Sequence, residues 1–151
     1  MSTESADPSA VFRRYLSAMV LHSLASAEAA GLNATDYFAL NLLDLTGPQT
    51  SGELARWTGL TTGATTRLID RLEEGGHVRR VLDPADRRKV MVELVAPPAT
   101  VDRAVEGARR RLGAVIAEYG PRQQATLFDY FGRAAEAYRA STEELVERRD
   151  G

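Results

Sequence analysis

Between Thr50 and Val95 the chain reads TSGELARWTGLTTGATTRLIDRLEEGGHVRRVLDPADRRKVMVELV, an order of signals that few folds accommodate. A short helical pattern from Gly52 to Trp57 meets a tight Thr58-Gly59-Leu60 turn, and a second helix opens at Thr61. Leu60, Ala64, Leu68 and Leu72 recur every fourth residue and, assisted by Ile69, give that second helix a core-facing side. Strand-like His77–Leu82 follows, then the turn formers Asp83-Pro84-Ala85-Asp86, then a run from Arg87 to Val95 whose second half alternates in polarity. The pattern predicts two helices joined by a tight turn, followed by a hairpin with Arg87, Arg88 and Lys89 at or beside its tip.

Helices are expected on both sides of this module. Apolar residues from Val11 to Leu24 recur at three- and four-residue spacing, with Ser9 suited to cap that helix and Gly31 to end it. Thr35 is the expected N-cap of a second, core helix carrying Phe38, Leu40, Leu42, Leu43 and Leu45, stopped by Gly47-Pro48. Beyond the hairpin, Pro97-Pro98 breaks the strand and seats a long helix with a stripe of Val101, Val105, Ala108, Leu112, Val115 and Ile116. Gly120-Pro121 ends it, and a last helix from about Arg122 to Glu147 carries Leu127, Phe128, Phe131, Ala135, Tyr138 and Leu145 as its buried face. The expected fold class is mainly α with a small β-wing, a winged helix-turn-helix with N- and C-terminal dimerisation helices. Residues 1–8 are expected to form a disordered tail, 9–34 and 98–148 a helical dimerisation region, and 35–97 the DNA-reading region, all within one intertwined domain. The terminal helices are too long to be satisfied by the small central core, so their apolar faces are expected to meet a second copy. The plainer alternative is an antiparallel pair folded back within one chain.

Composition narrows the function classes. Cysteine is absent, which removes disulfides and thiolate chemistry, and the only imidazoles, His22 and His77, lie far apart in sequence, so no metal or other cofactor is expected. Without a Gly-rich phosphate loop, a nucleophile elbow or a metal-ligand cluster, an enzyme is not expected. No run approaches the roughly 20 apolar residues of a membrane helix, and the polar, acidic start lacks a signal core, so a cytoplasmic protein is expected.

Net charge is −2, but residues 51–95 hold eight basic against seven acidic side chains. Distribution matters more than the total for a phosphate partner. Thr61 is the expected N-cap of the second helix, whose outward face offers Thr62, Gly63, Thr65, Thr66, Arg67, Asp70 and Arg71. Short hydroxyls and the free N–H groups of a first turn suit phosphate oxygens or base edges, and Arg67 and Arg71 suit a phosphate or guanine. Taken alone, that helix reads equally well as an ordinary soluble helix with a Thr-rich start. The basic hairpin tip shifts the balance, because Asp86 and Arg88 are close enough to pair and pre-orient a guanidinium beside Arg87 and Lys89. Double-stranded DNA is therefore the expected partner. A winged module that serves only protein partners is the alternative, and salt-dependent binding separates the two.

Glu53-Leu54-Ala55, Thr61–Leu72, Gly76–Arg80 and the wing Asp86-Arg87-Arg88 with Val92 resemble the signature of MarR-family transcriptional regulators. The likeness implies a homodimer joined by its terminal helices, reading helices in successive major grooves of a pseudo-palindromic operator, and wing arginines in the flanking minor grooves. It also implies a repressor released by a small, often anionic aromatic ligand bound between the dimer helices and the reading module. Carried onto this chain, His22, Tyr37 and Asn41 are candidate pocket residues. Trp57 departs from the pattern, standing where a polar residue is usual, with Thr58 in place of the usual leucine; it joins them as a candidate for the pocket or for DNA, the alternative being a repacked first reading helix. The absence of cysteine removes the peroxide-sensing chemistry of some members.

Overall fold

The computed structural model describes residues 7–96 and 99–150; residues 1–6 of the expected tail and the Pro97-Pro98 pair lie outside them. The described elements are α1 (Pro8–Ala29), α2 (Ala34–Thr46), β1 (Gln49–Thr50), α3 (Ser51–Thr58), α4 (Thr62–Glu74), β2 (Val78–Leu82), β3 (Val90–Leu94), α5 (Ala99–Ala117) and α6 (Pro121–Asp150). This is a winged helix-turn-helix framed by long helices.

Helix starts follow local hydrogen bonding, and two differ from the sequence expectation. Asp7, not Ser9, caps α1: its side chain accepts from the Ser9 N–H at 3.0 Å, and Pro8 takes the first helical position, where no donor is needed. Asn33, not Thr35, caps α2, accepting from the Asp36 N–H at 2.8 Å. Asn33 holds an extended backbone and leaves Thr35 inside the first turn. Gly47, at φ +77°, ends α2 in a conformation that favours glycine.

One core lies inside the reading module. Leu40 and Leu43 of α2, Leu54 of α3, Leu68, Ile69 and Leu72 of α4, Val78 of β2 and Val92 of β3 are buried together. Phe38 and Leu45, expected in the core, are instead exposed, because they project from the other side of α2. The sheet has the order β1-β3-β2, all antiparallel. The β2–β3 hairpin pairs Val78 with Leu94 through to Leu82 with Val90. The third strand was not foreseen: Gln49 and Thr50 pair with Val92 and Met91, and two residues are too few to show an alternating pattern.

A second, smaller cluster joins Ala27 of α1, Tyr37 of α2 and Val101 of α5. Leu32 packs against both clusters and links them. Beyond Val101 the long helices are far less covered. Leu112 and Val115 on α5 and Phe128, Phe131, Tyr138 and Leu145 on α6 are exposed, so the expected buried face of α6 is not buried within one chain. Tyr15 of α1 stacks with Phe131 at 6.4 Å between ring centroids, one contact between the two ends of the chain.

Candidate nucleic-acid interface

The reading helix is built from its caps outward. Thr50 and Glu53 form a capping box at the start of α3: the Glu53 carboxylate accepts from the Thr50 N–H (2.7 Å) and hydroxyl (2.8 Å), while the Thr50 hydroxyl oxygen accepts from the Glu53 N–H (3.2 Å). The backbone hydrogen bond from Thr50, reinforced by its hydroxyl, holds the Glu53 carboxyl below its ordinary pKa against the opposing effect of burial. Gly59 caps the other end of α3 in the left-handed region at φ +67°, which turns the chain toward α4. Thr61 caps α4 as expected, accepting from the Ala64 N–H at 3.3 Å.

Thr62, Gly63, Thr66 and Arg67 are exposed at the start of α4. The Thr66 hydroxyl donates to the Thr62 carbonyl at 3.0 Å, leaving its oxygen lone pairs as the outward feature. Thr65 does not belong with them. It is 0% exposed, and its hydroxyl donates to the Thr61 carbonyl at 3.0 Å. The cause is helical spacing: Thr65 precedes Leu68, Ile69 and Leu72 by three, four and seven residues and so shares their inward face.

Arg71 is half-exposed but already engaged. Its Nε and Nη2 donate to the two oxygens of Asp36 at 3.1 and 2.7 Å, a two-pronged bond that ties α4 to α2. The Asp36 side chain is only 5% exposed, so this partner is what makes its burial tolerable. Arg80 on β2 is similarly committed, donating to Asp70 at 2.6 Å and to Glu73 of the same reading helix. Arg79 pairs across the hairpin with Glu93. None of these pairings was legible from charge counts.

The wing tip is different. Asp83 accepts from the Ala85 N–H at 2.8 Å, and the Lys89 N–H donates to the Asp86 carbonyl at 2.8 Å, closing the turn. Asp86 then takes both the Arg88 N–H (3.1 Å) and Nε (3.3 Å) on one oxygen, as expected from the spacing. The Arg88 side chain remains 92% exposed. An exposed pair of this kind contributes little to stability, so its effect is to direct the guanidinium. Arg67, Arg87 and Lys89 are exposed and make no ion pair among the described residues. Arg56 makes none either, but it lines a cleft between α3 and α6.

Within one protomer the four candidate ligand residues lie at different places. His22 lies in an open groove of about 530 Å³ between α1 and α5, with Tyr15, Met19, Arg103, Arg111 and Leu112. Asn41 and Trp57 share a second groove, between α2 and α3, with Phe38 and Leu45, and Asn41 also lines a third, between α2 and the start of α5, which shares Arg103 with the first. Tyr37 is 5% exposed and packs in the cluster with Ala27 and Val101. The separation arises because Tyr37 points into the junction of α1, α2 and α5, whereas Trp57 sits at the far end of α3. No helix among the described residues is long and apolar enough to cross a membrane.

The model of the MarR family matches residues 30–89. The HTH-type transcriptional regulator YcgE of Bacillus subtilis (strain 168) is 36% identical over 136 residues, covering 89% of this chain and 88% of YcgE. Among solved structures, the transcriptional regulator Tm0710 from Thermotoga maritima aligns with a TM-score of 0.60 at 21% identity, over 89% of this chain and 96% of that one. A MepR mutant from a multidrug-resistant S. aureus clinical isolate aligns with a TM-score of 0.73 at 14% identity, over 89% and 99%. At these identities the two structures speak for the fold alone.

Proposed function

The chain belongs to the MarR family of winged helix-turn-helix transcriptional regulators, which are not enzymes, and from that premise we propose that it is a homodimeric repressor that reads a pseudo-palindromic operator and is released by a small ligand. The observation that carries the DNA contact is the wing tip, where Arg88 is almost fully exposed yet aimed by Asp86, beside Arg87 and Lys89. Thr61, Thr62, Gly63, Thr66 and Arg67 meet the major groove from the start of α4, and the tip enters the adjacent minor groove. Arg71 and Asp36 position that helix and stay off the DNA. Thr65 supports it from the core.

Residues 9–34 and 98–148 supply the dimer contact, and 35–97 the reading region. The apolar faces of α5 and α6, uncovered within one protomer, support this assembly. For the effector, the α1–α5 groove is the better of the candidate sites: an apolar floor of Met19 and Leu112 is flanked by Arg103 and Arg111, a chemistry suited to an aromatic anion. His22 lies in it, Asn41 lines the adjoining α2–α5 groove across Arg103, Tyr37 contributes from the packed junction, and Trp57 stands apart.

The test is fluorescence anisotropy of a duplex from upstream of the protein's own gene, against a scrambled duplex, at two salt concentrations. Selective binding that weakens with salt is expected, and Arg88→Ala is expected to lose about tenfold in affinity without changing the melting temperature. Unchanged affinity of Arg88→Ala removes the wing from this account. Absence of binding to either duplex at low salt favours a winged module devoted to protein partners.

A further inference from the structure

Trp57 is the chain's only tryptophan, and neither the DNA contact nor the effector groove uses it. It is half-exposed at the C-terminal end of α3, immediately before the turn that leads into the reading helix. The Arg139 guanidinium of α6 lies over its ring, with Cζ 5.9 Å from the centroid. That guanidinium is held from both sides by its own helix: Nε donates to Glu136 at 3.0 Å and Nη1 to Glu143 at 2.8 Å. Three residues spaced three and four apart therefore present a planar cation in a fixed attitude to an indole face, the geometry in which a ring quadrupole attracts it.

A second contact lies seven residues further along α6, which is about two helical turns and so the same face. A Cβ built on Gly59 would lie 3.2 Å from Val146 Cγ2. The residue that forms the helix-turn-helix corner is thus also the residue on which α6 closes. Between the two contacts, Thr142 and Glu143 line a cleft shared with Gln49 of β1 and with Glu53 and Arg56 along α3.

We propose that Arg139 and Trp57 are positioning residues that clamp the reading module to its own C-terminal helix, so that the attitude of α6 sets the spacing at which two reading helices meet DNA. Trp57 transmits through Gly59 into α4, and neither residue touches DNA. The consequence for half-site spacing rests on the dimeric operator reading above; the clamp itself does not. Two half-sites one helical turn apart demand a fixed separation of the reading helices, and a module free to swivel on α6 tolerates more than one separation.

The experiment uses the full chain and the variants Arg139→Ala and Arg139→Lys. Trp57 emission and its quenching by acrylamide report the indole face, and amide hydrogen exchange over residues 55–60 reports the corner. Arg139→Ala is expected to expose the indole to quencher and to speed exchange at the corner about fivefold, with Arg139→Lys recovering part of both. In a series of duplexes whose half-sites are moved apart one base pair at a time, Arg139→Ala is expected to flatten the preference for a single spacing while keeping affinity for an isolated half-site. Unchanged quenching and exchange in Arg139→Ala overturn the clamp. Altered exchange with an unchanged spacing preference overturns the positioning role. If the unaltered protein binds no duplex, the operator reading and the positioning role fall together, and the exchange and quenching measurements still decide the clamp.

Discussion

The reading module and the helical arms bury their apolar residues to very different degrees. In the module, the large inward side chains of α2, α3, α4, β2 and β3 are sealed by one another, and Phe38 and Leu45 on the far side of α2 are the exceptions. In the arms, α1, α5 and α6 leave Leu21, Leu112, Phe128, Tyr138 and Leu145 exposed, although apolar residues recur along these helices too. Periodicity identifies which face of a helix seeks cover but not what supplies it. The module is finished by its own chain, and the arms are finished by something else, which the proposed function identifies as a second copy.

That contrast is open to direct attack. The largest effect is expected from Phe131→Asp, which sets a carboxylate beside Tyr15 on the uncovered face: sedimentation should report a monomer, and operator affinity should fall about a hundredfold or more as two linked half-site contacts become one. The reading module should stay folded in that variant. In the same monomeric background, Leu68→Ala is expected to cost about 2–5 kcal/mol in urea denaturation, whereas Leu145→Ala on the exposed arm should cost under about 0.5 kcal/mol. Equal costs would erase the distinction between the regions.

Smaller effects test how the module is tied together. Arg71→Met strands the buried Asp36 carboxylate and is expected to cost about 2–3 kcal/mol, part of which returns when Asp36→Asn is added. A loss that the second change deepens would mean that the pair acts through packing instead. Weaker than the Arg71–Asp36 tie is the α3 capping box, which is expected to contribute under about 1 kcal/mol. Because the folded-state pKa of Glu53 is lowered, its contribution is full above the ordinary carboxylate pKa and disappears as pH falls through the lowered value. The stability gap between the wild type and Glu53→Gln should therefore narrow in acid and be flat near neutrality.

Much of the module was legible because its signals are local. The four-residue leucine spacing of α4, the Thr61 cap and the Asp83–Asp86 turn each sit within one or two turns of the element they define. Contacts made at a distance left no such trace. Arg71 looks like any outward arginine until folding brings Asp36, 35 residues earlier, beneath it. By its chemistry Thr65 is a hydroxyl among hydroxyls, but its spacing from Leu68 and Leu72 places it inside. The candidate ligand residues were drawn from different helices, and only the packing of α1, α2 and α5 shows that Tyr37 is covered while Trp57 faces α6.

Thr50 belongs at once to β1, where it pairs with Met91, and to α3, whose first turn it caps. Side chains alternate along a strand, so a slip of β1 by a single residue would point the Thr50 hydroxyl to the opposite side of the sheet and strip α3 of its cap. The wing and the helix-turn-helix are in this sense latched by one residue. Strand register and helix initiation are checked against each other, and the chain has no low-cost way to get one right and the other wrong.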